Sequence, residues 1–192
     1  LAEEIRDQNR GGYVYGPEFI NLVQRTQCGH NPDPYDATPI EQGIGVNYGM
    51  FKFGGISFAF LEDRKFKTAP IQGQDLDVHE AQLLGARQEA FLEAWRRDEE
   101  EVDGRICLTQ SLFACLQTSP RGQPLLDWDA NGQPKLHRDR AITLLRAAGA
   151  LVLSGDQHLG SLIRHGIDSH TDGVVQFTGP AGVSFWQRWF EP

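Results

Sequence analysis

The sequence predicts an α/β domain, and three observations carry that expectation. Short apolar runs at 56–61 (ISFAFL) and 150–153 (ALVL), each stopped by charge or by Ser-Gly, have the pattern of strands buried on both faces. Segments with apolar residues at helical spacing, 84–97 and 138–148, alternate with them, as in layered α/β folds. The 192 residues are 40% hydrophobic and 23% charged, an ordinary globular balance with room for one core, which excludes disorder, collagen and a small disulfide scaffold.

Taken in order, the first fifty residues carry Gly11-Gly12, Pro17, Asn31-Pro32-Asp33-Pro34 and Thr38-Pro39. That density of breakers predicts a loop-rich excursion around at most one short helix, over 18–24, and places the α/β core at 51–192. Gly-Gly precedes the first strand, 56–61, and Glu62-Asp63-Arg64-Lys65 follows it. Asp77 with Glu80 makes a capping box for a helix in which Leu84, Phe91, Leu92 and Trp95 recur at helical spacing through about Arg97. Residues 105–113 (RICLTQSLF) read as a second strand, followed by a polar loop with Asp127, Asp129 and Asn131-Gly132. Residues 138–148 form a short amphipathic helix that Gly149 ends in the C′ position. Residues 150–153 are the next strand and 174–177 a further one. No repeat or linker divides the chain into two domains.

Eighteen basic against 26 acidic residues give a net charge of −8, which opposes the phosphate attraction on which nucleic-acid binders depend. Neither nucleic acid nor membrane is therefore an expected partner: no apolar run approaches the roughly 18 residues of a membrane helix. Three cysteines, Cys28, Cys107 and Cys115, have no CxxC spacing and read as buried thiols, with one bridge plus a free thiol as the alternative. Phosphate-binding GxxxxGK, GxGxxG and GxSxG patterns are missing, which removes the usual support for nucleoside triphosphatase, dinucleotide and serine hydrolase readings.

Two strand ends carry candidate chemistry, because open α/β sheets build sites at the carboxyl ends of their strands. In Ser154-Gly155-Asp156-Gln157-His158-Leu159-Gly160, residues two apart on an extended loop point the same way. Asp156 and His158 can then offer a carboxylate and an imidazole to one metal, a mixed set that suits zinc, manganese or iron. A simple Gly-Asp turn is the alternative. In Glu62-Asp63-Arg64-Lys65-Phe66-Lys67, an Asp-Arg pair can present a guanidinium fork to a phosphate, and a solvated turn is the alternative. The loop at 127–132 lacks the terminal glutamate of an EF-hand and reads as a turn. His30, His79, His137, His165 and His170 have no paired ligand spacing and read as structural or exposed.

Several segments together resemble the PhoD-like (alkaline phosphatase D) branch of the metallophosphoesterases. They are Phe58-Ala59-Phe60-Leu61-Glu62-Asp63-Arg64-Lys65-Phe66-Lys67, then Leu83-Leu84-Gly85-Ala86-Arg87-Gln88 into Phe91-Leu92, then Ser154 to Gly160 as quoted above. Arg10-Gly11-Gly12-Tyr13-Val14-Tyr15-Gly16-Pro17 and Gln42-Gly43-Ile44-Gly45-Val46 extend the likeness over nearly the whole chain.

The resemblance implies a two-sheet sandwich flanked by helices, with a phosphate ester as substrate and two or more divalent or trivalent metal ions, among Fe, Zn, Mn and Ca, at the strand ends. The family's Gly-Asp-x-His motif falls on Asp156 and His158 as metal ligands. Its Asp-Arg segment falls on Asp63 and Arg64 as catalytic residues. Members of the family are often exported, so an extracytoplasmic location is the matching expectation. The family's earlier metal motifs lie before the region that Arg10-Gly11-Gly12 resembles, and Leu1 to Asn9 contain neither. The expectation is therefore the C-terminal part of a phosphatase domain whose N-terminal half is missing here. Such a chain is expected to be weakly active or inactive alone, with apolar faces and sheet edges exposed. The alternative is a non-catalytic binding or structural module derived from that fold.

Overall fold

The computed structural model describes residues 13, 15–68, 81–114, 118–123 and 134–183. Its elements run α1 (Pro17–Cys28), β1 (Gly49–Phe53), β2 (Ile56–Phe60), a 3-10 turn (Asp63–Lys65), α2 (Gly85–Arg96), β3 (Gly104–Leu108), α3 (Lys135–Ala147), β4 (Ala150–Ser154), β5 (Ser161–Arg164) and β6 (Val175–Thr178). The strands form one six-stranded sheet in the order β1-β2-β3-β4-β6-β5. Among the described residues, then, the expected layered α/β architecture has one sheet and one helical layer.

β2, β3, β4 and β6 are parallel, and the outer strands β1 and β5 run antiparallel to their neighbours. α2 and α3 lie in the crossovers β2-α2-β3 and β3-α3-β4 and pack against each other on the same side of the sheet. The strands present slender residues to them: Ala59 is paired with Cys107, and Cys107 with Val152. Phe91, Leu92 and Trp95 of α2 and Ala141, Ile142 and Leu145 of α3 close over that surface, all fully buried. Trp95 Nε1 donates to Ser57 Oγ at 2.8 Å, so the one polar atom this indole carries into the core is satisfied.

The opposite face alternates strictly with this one. Paired across the sheet are Phe51, Phe58, Ile106 and Leu151 in one row, and Phe60, Leu108, Leu153, Phe177 and Leu162 in the next. The Phe51 and Phe58 rings stack at 4.8 Å. No described helix covers this face: its central residues are half-buried, whereas Phe53 is 77% and Leu162 72% exposed.

Four elements differ from the sequence expectation. The first fifty residues hold the start of β1 as well as a helix longer than 18–24. β1 and β2 form a hairpin closed by Gly54 and Gly55 alone, both with positive φ (58° and 79°), as a two-residue turn of the primed type demands. β3 stops at Leu108 instead of running to Phe113, because the Thr109 hydroxyl caps the Ser111 N–H at 3.3 Å and turns the chain out of the sheet. β5 has no counterpart in the sequence expectation. Gly149 ends α3 in the expected way, with φ 64° and its N–H on the Arg146 carbonyl. α2 begins at Gly85, and the Asp77–Glu80 capping box and the 127–132 loop lie outside the described residues.

The loop before β1 is tied to the core through Arg87 of α2. Its guanidinium reaches Asp36 Oδ2 at 2.7 Å and the carbonyls of Asp36 and Thr38, and lies over the rings of Tyr48 and Phe66. This clamp sets where residues 31–48 cross the ends of the strands.

Candidate functional site at the strand ends

The carboxyl ends of β2, β3 and β4 open into a groove of about 420 Å³. Leu61 and Glu62 after β2, Thr109 and Gln110 after β3, and Ser154 and Gly155 at the end of β4 form one wall. Cys28 and Asn31, at the end of α1, and Asn47 close the other. This is where parallel sheets present their loops, and the position follows from the register of the three strands.

The β4 loop leaves this wall through a strained step. Asp156 has φ 56°, the only positive value among the described non-glycine residues. The Ser154 carbonyl accepts from the Gly179 N–H at 3.0 Å, and the Gln157 N–H reaches the Gly179 carbonyl, so both sides of Asp156 are fastened to the chain beyond β6. The side chain is 92% exposed, with Oδ1 4.0 Å from His158 Nε2, while His158 is only 14% exposed. His158 Nδ1 is buried and makes no hydrogen bond. A solvent-facing carboxylate beside a sheltered imidazole fits one edge of a transition-metal site. No group of three or more His, Cys, Asp or Glu side chains able to hold a metal comes together among the described residues. The pair alone does not complete a catalytic site, which takes three protein ligands.

The Asp-Arg segment is placed differently. Asp63 is wholly buried, and neither carboxylate oxygen makes a hydrogen bond of ordinary geometry. Burial pushes its pKa up, against the Ser111 side chain, its own backbone N–H and the charges of Lys67 and Arg64. Its carbonyl accepts from the N–H groups of Phe66 and Lys67, both at 2.8 Å, which fixes the turn. Arg64 is exposed and lines a second cavity with Lys65 and Lys67. Neither Asp63 nor Arg64 lines the strand-end groove, and Asp156 and His158 follow its Ser154-Gly155 edge without lining it, so the four residues do not share one pocket.

Between the two cavities stands an ion pair with no counterpart in the sequence reading. Glu62 Oε1 lies 2.7 Å from Lys65 Nζ, with both side chains almost fully buried. Glu62 Oε2 accepts from the Asn47 N–H at 2.5 Å, and Lys65 also donates to the Gly45 carbonyl at 2.8 Å and to Gln24 Oε1. Glu62 borders the groove and Lys65 the second cavity.

Behind Ser154 runs a buried chain of hydrogen bonds with a fixed direction. Arg138 can only donate, so at 3.2 Å the Nδ1 of His165 accepts. His165 Nε2 therefore carries the proton and donates to Gln176 Oε1 at 2.8 Å. The Gln176 amide then donates to Ser154 Oγ and Thr178 Oγ1, each at 2.9 Å. Burial and the neighbouring Arg138 charge hold His165 neutral, its pKa pushed down to about 4, with the Gln176 bond opposing them. A polar residue at every second position of β6, Gln176 and Thr178, is the available sequence signal; its partners come from β4, the residue after β5 and α3, and leave no local pattern.

Cys107 is a buried free thiol whose pKa burial pushes up, as befits a core residue. Cys28 is also free and half-buried at the groove edge, and Cys115 lies outside the described residues.

No protein-family model and no curated protein matches the chain. Among solved structures, one titled "Structure of PhoD" matches with a TM-score of 0.63 and 19% sequence identity, over 89% of this chain and 35% of that one. The fold is thus like that of PhoD, and this chain spans about a third of the length of that structure.

Proposed function

We propose that the strand-end groove and the β4 loop are part of the site of a metal-dependent phosphoric ester hydrolase, in which Asp156 and His158 bind one metal ion. The observation that carries this reading is the Asp156-His158 pair, held by a positive-φ step beside a groove at the ends of parallel strands. The PhoD-like fold supports it. A metal bound there would supply a Lewis acid and a bound water of lowered pKa. Iron, zinc and manganese suit the donors better than calcium.

The chain's own residues have narrower tasks. The Arg138-His165-Gln176 chain fixes Ser154, the residue from which the loop departs. Asp63 anchors the 3-10 turn and so positions Arg64, whose planar guanidinium suits a phosphate oxygen. With two ligands among the described residues, the isolated chain is expected to turn over phosphate esters weakly or not at all. That same observation favours the second reading, a binding or structural module of this fold without catalysis.

Metal analysis of the purified chain, coupled to phosphomonoester and phosphodiester assays, tests both. Retention of a transition metal that is lost in His158→Ala supports the metal-site reading. A chain that takes up no metal under saturating Fe, Zn or Mn removes Asp156 and His158 as ligands.

A further inference from the structure

We infer that Gln176 is the positioning residue of the Asp156-His158 loop: its carboxamide staples the ends of β4 and β6 together and so holds Asp156 in its strained conformation. The inference rests on the metal-site reading only for what the loop then binds.

The Gln176 side chain is fully buried, and all four hydrogen-bonding positions of its carboxamide are filled. Oε1 accepts from the Phe113 N–H at 3.2 Å and from His165 Nε2 at 2.8 Å, and Nε2 donates to Ser154 Oγ and Thr178 Oγ1. The Phe113 N–H can only donate, so the amide has one permitted orientation even without the argument from Arg138. Ser154 and Thr178 face each other in the last pair of the β4-β6 register, with their hydroxyls 3.2 Å apart. One planar amide therefore ties both strands at the point where their pairing stops.

The hold on the loop begins one residue later. Gly179 donates to the Ser154 carbonyl at 3.0 Å and accepts from the Gln157 N–H at 3.4 Å, so the residue after Thr178 grips the chain on both sides of Asp156. The second of these bonds is long, and a non-glycine residue at φ 56° persists only where its surroundings over-determine it. The grip works while Ser154 and Gly179 keep their relative place, and the staple fixes that place. The strained step matters to the chemistry because it departs from the extended run of the sequence expectation and leaves Asp156 Oδ1 4.0 Å from His158 Nε2. The spacing of the two donors is thus set by the step that Gln176 maintains.

NMR on the isotope-labelled chain without metal, followed by titration with manganese, tests it. Thr178→Val removes one end of the staple and keeps the shape of the residue, so it serves even where Gln176→Leu folds poorly. Both variants should abolish the positive-φ signature of Asp156, a strong intraresidue contact between its amide and Hα protons. Amide exchange at Gln157 should rise about tenfold in both, while the β1-β2 hairpin amides stay as in wild type. Manganese affinity should fall about tenfold, as when an outer partner of a metal ligand is lost. Ile142→Val, a core change that touches no bond of the staple, should leave the Asp156 signature and the manganese affinity unchanged.

An Asp156 signature and a Gln157 exchange rate unchanged in both variants overturn the inference, and so does faster exchange that the hairpin amides share. Where Asp156 and Gln157 respond as expected but the wild-type chain takes up no manganese, the staple stands and the metal-site reading falls. Where manganese binds, is lost in His158→Ala and is held by Gln176→Leu as tightly as by wild type, the metal-site reading stands and the inference falls.

Discussion

On the helix side of the sheet, Ser57, Ala59, Cys107 and Val152 are slender, and the bulk comes from Phe91, Trp95, Ile142 and Leu145 of the covering helices. On the other side the strands themselves carry the bulk, in Phe51, Phe58, Phe60, Ile106, Leu108, Leu151 and Leu153, and no described helix lies above them. The same backbone thus makes one dry face and one that, among the described residues, is apolar and only part-buried. The difference teaches that alternation along a strand does not reveal which face is covered; both faces here are apolar, and only the crossover helices decide. A contiguous apolar surface of this kind marks a contact site or an association hazard.

The largest expected effect lies on the covered face. Phe91→Ala should cost about 3–5 kcal/mol in urea denaturation, because it leaves a cavity among fully buried neighbours. Phe58→Ala on the open face should cost only about 1–2 kcal/mol, since its ring is part-exposed and leaves no closed cavity. Equal losses would abolish the distinction between the faces.

Next come the polar groups buried near the covered face. Gln176→Leu strands the His165 N–H and the Ser154 and Thr178 hydroxyls, and about 1–3 kcal/mol should be lost. The pH dependence has two opposite parts. His165 has a folded pKa below its unfolded value, so the unfolded state takes up the proton first as pH falls. Its contribution is complete above about pH 6.5 and is lost on acidification towards pH 4. Asp63 has a raised pKa, so its contribution is present in acid and is lost as pH rises above the ordinary aspartate range. Stability profiles should lose the acid-side slope in His165→Gln and the second slope in Asp63→Asn. A His165→Gln profile that coincides with wild type would refute the neutral, donor-locked imidazole.

The hairpin turn is intermediate. A Cβ at Gly55 would meet the Asp103 carboxylate and would sit at φ 79°. Gly55→Ala should destabilise by about 1–2 kcal/mol in the same denaturation assay. The smallest change in stability is expected at the exposed rim of the open face. Leu162→Ser and Phe177→Ser should each fall within about 0.5 kcal/mol of wild type. Their effect should appear instead as weaker concentration-dependent association in sedimentation and less binding of a hydrophobic dye. Unchanged association would mean that this face does not drive self-contact.

β2, β4 and the end of α3 are legible in the sequence because each announces itself locally, by an unbroken apolar run or by Gly149. β1 is not, because Met50, Phe51 and Phe53 sit at the edge of a breaker-rich stretch, although Gly54-Gly55 between two aromatic runs is a hairpin signal. β5 is four residues long and acquires its meaning only by pairing with β6. At the site, Asp156 and His158 are readable because one loop carries both. The Glu62-Lys65 wall and the cavity beyond it are not, since they depend on where residues 13–44 fold back over the strand ends. Arg64 is readable as a cation after β2, but the cavity it lines is not.

The two-residue turn between β1 and β2 has a kinetic side. Hairpins with so short a connection close in about 1–10 μs, whereas the parallel pairings β2-β3 and β3-β4 wait for whole helical crossovers to be enclosed. An emerging chain would thus hold a finished hairpin, with Phe51 stacked on Phe58, before any helix has docked. The Phe51-Phe58 pair is thus the most local contact on the open face, and the parallel strands extend its row to Ile106 and Leu151.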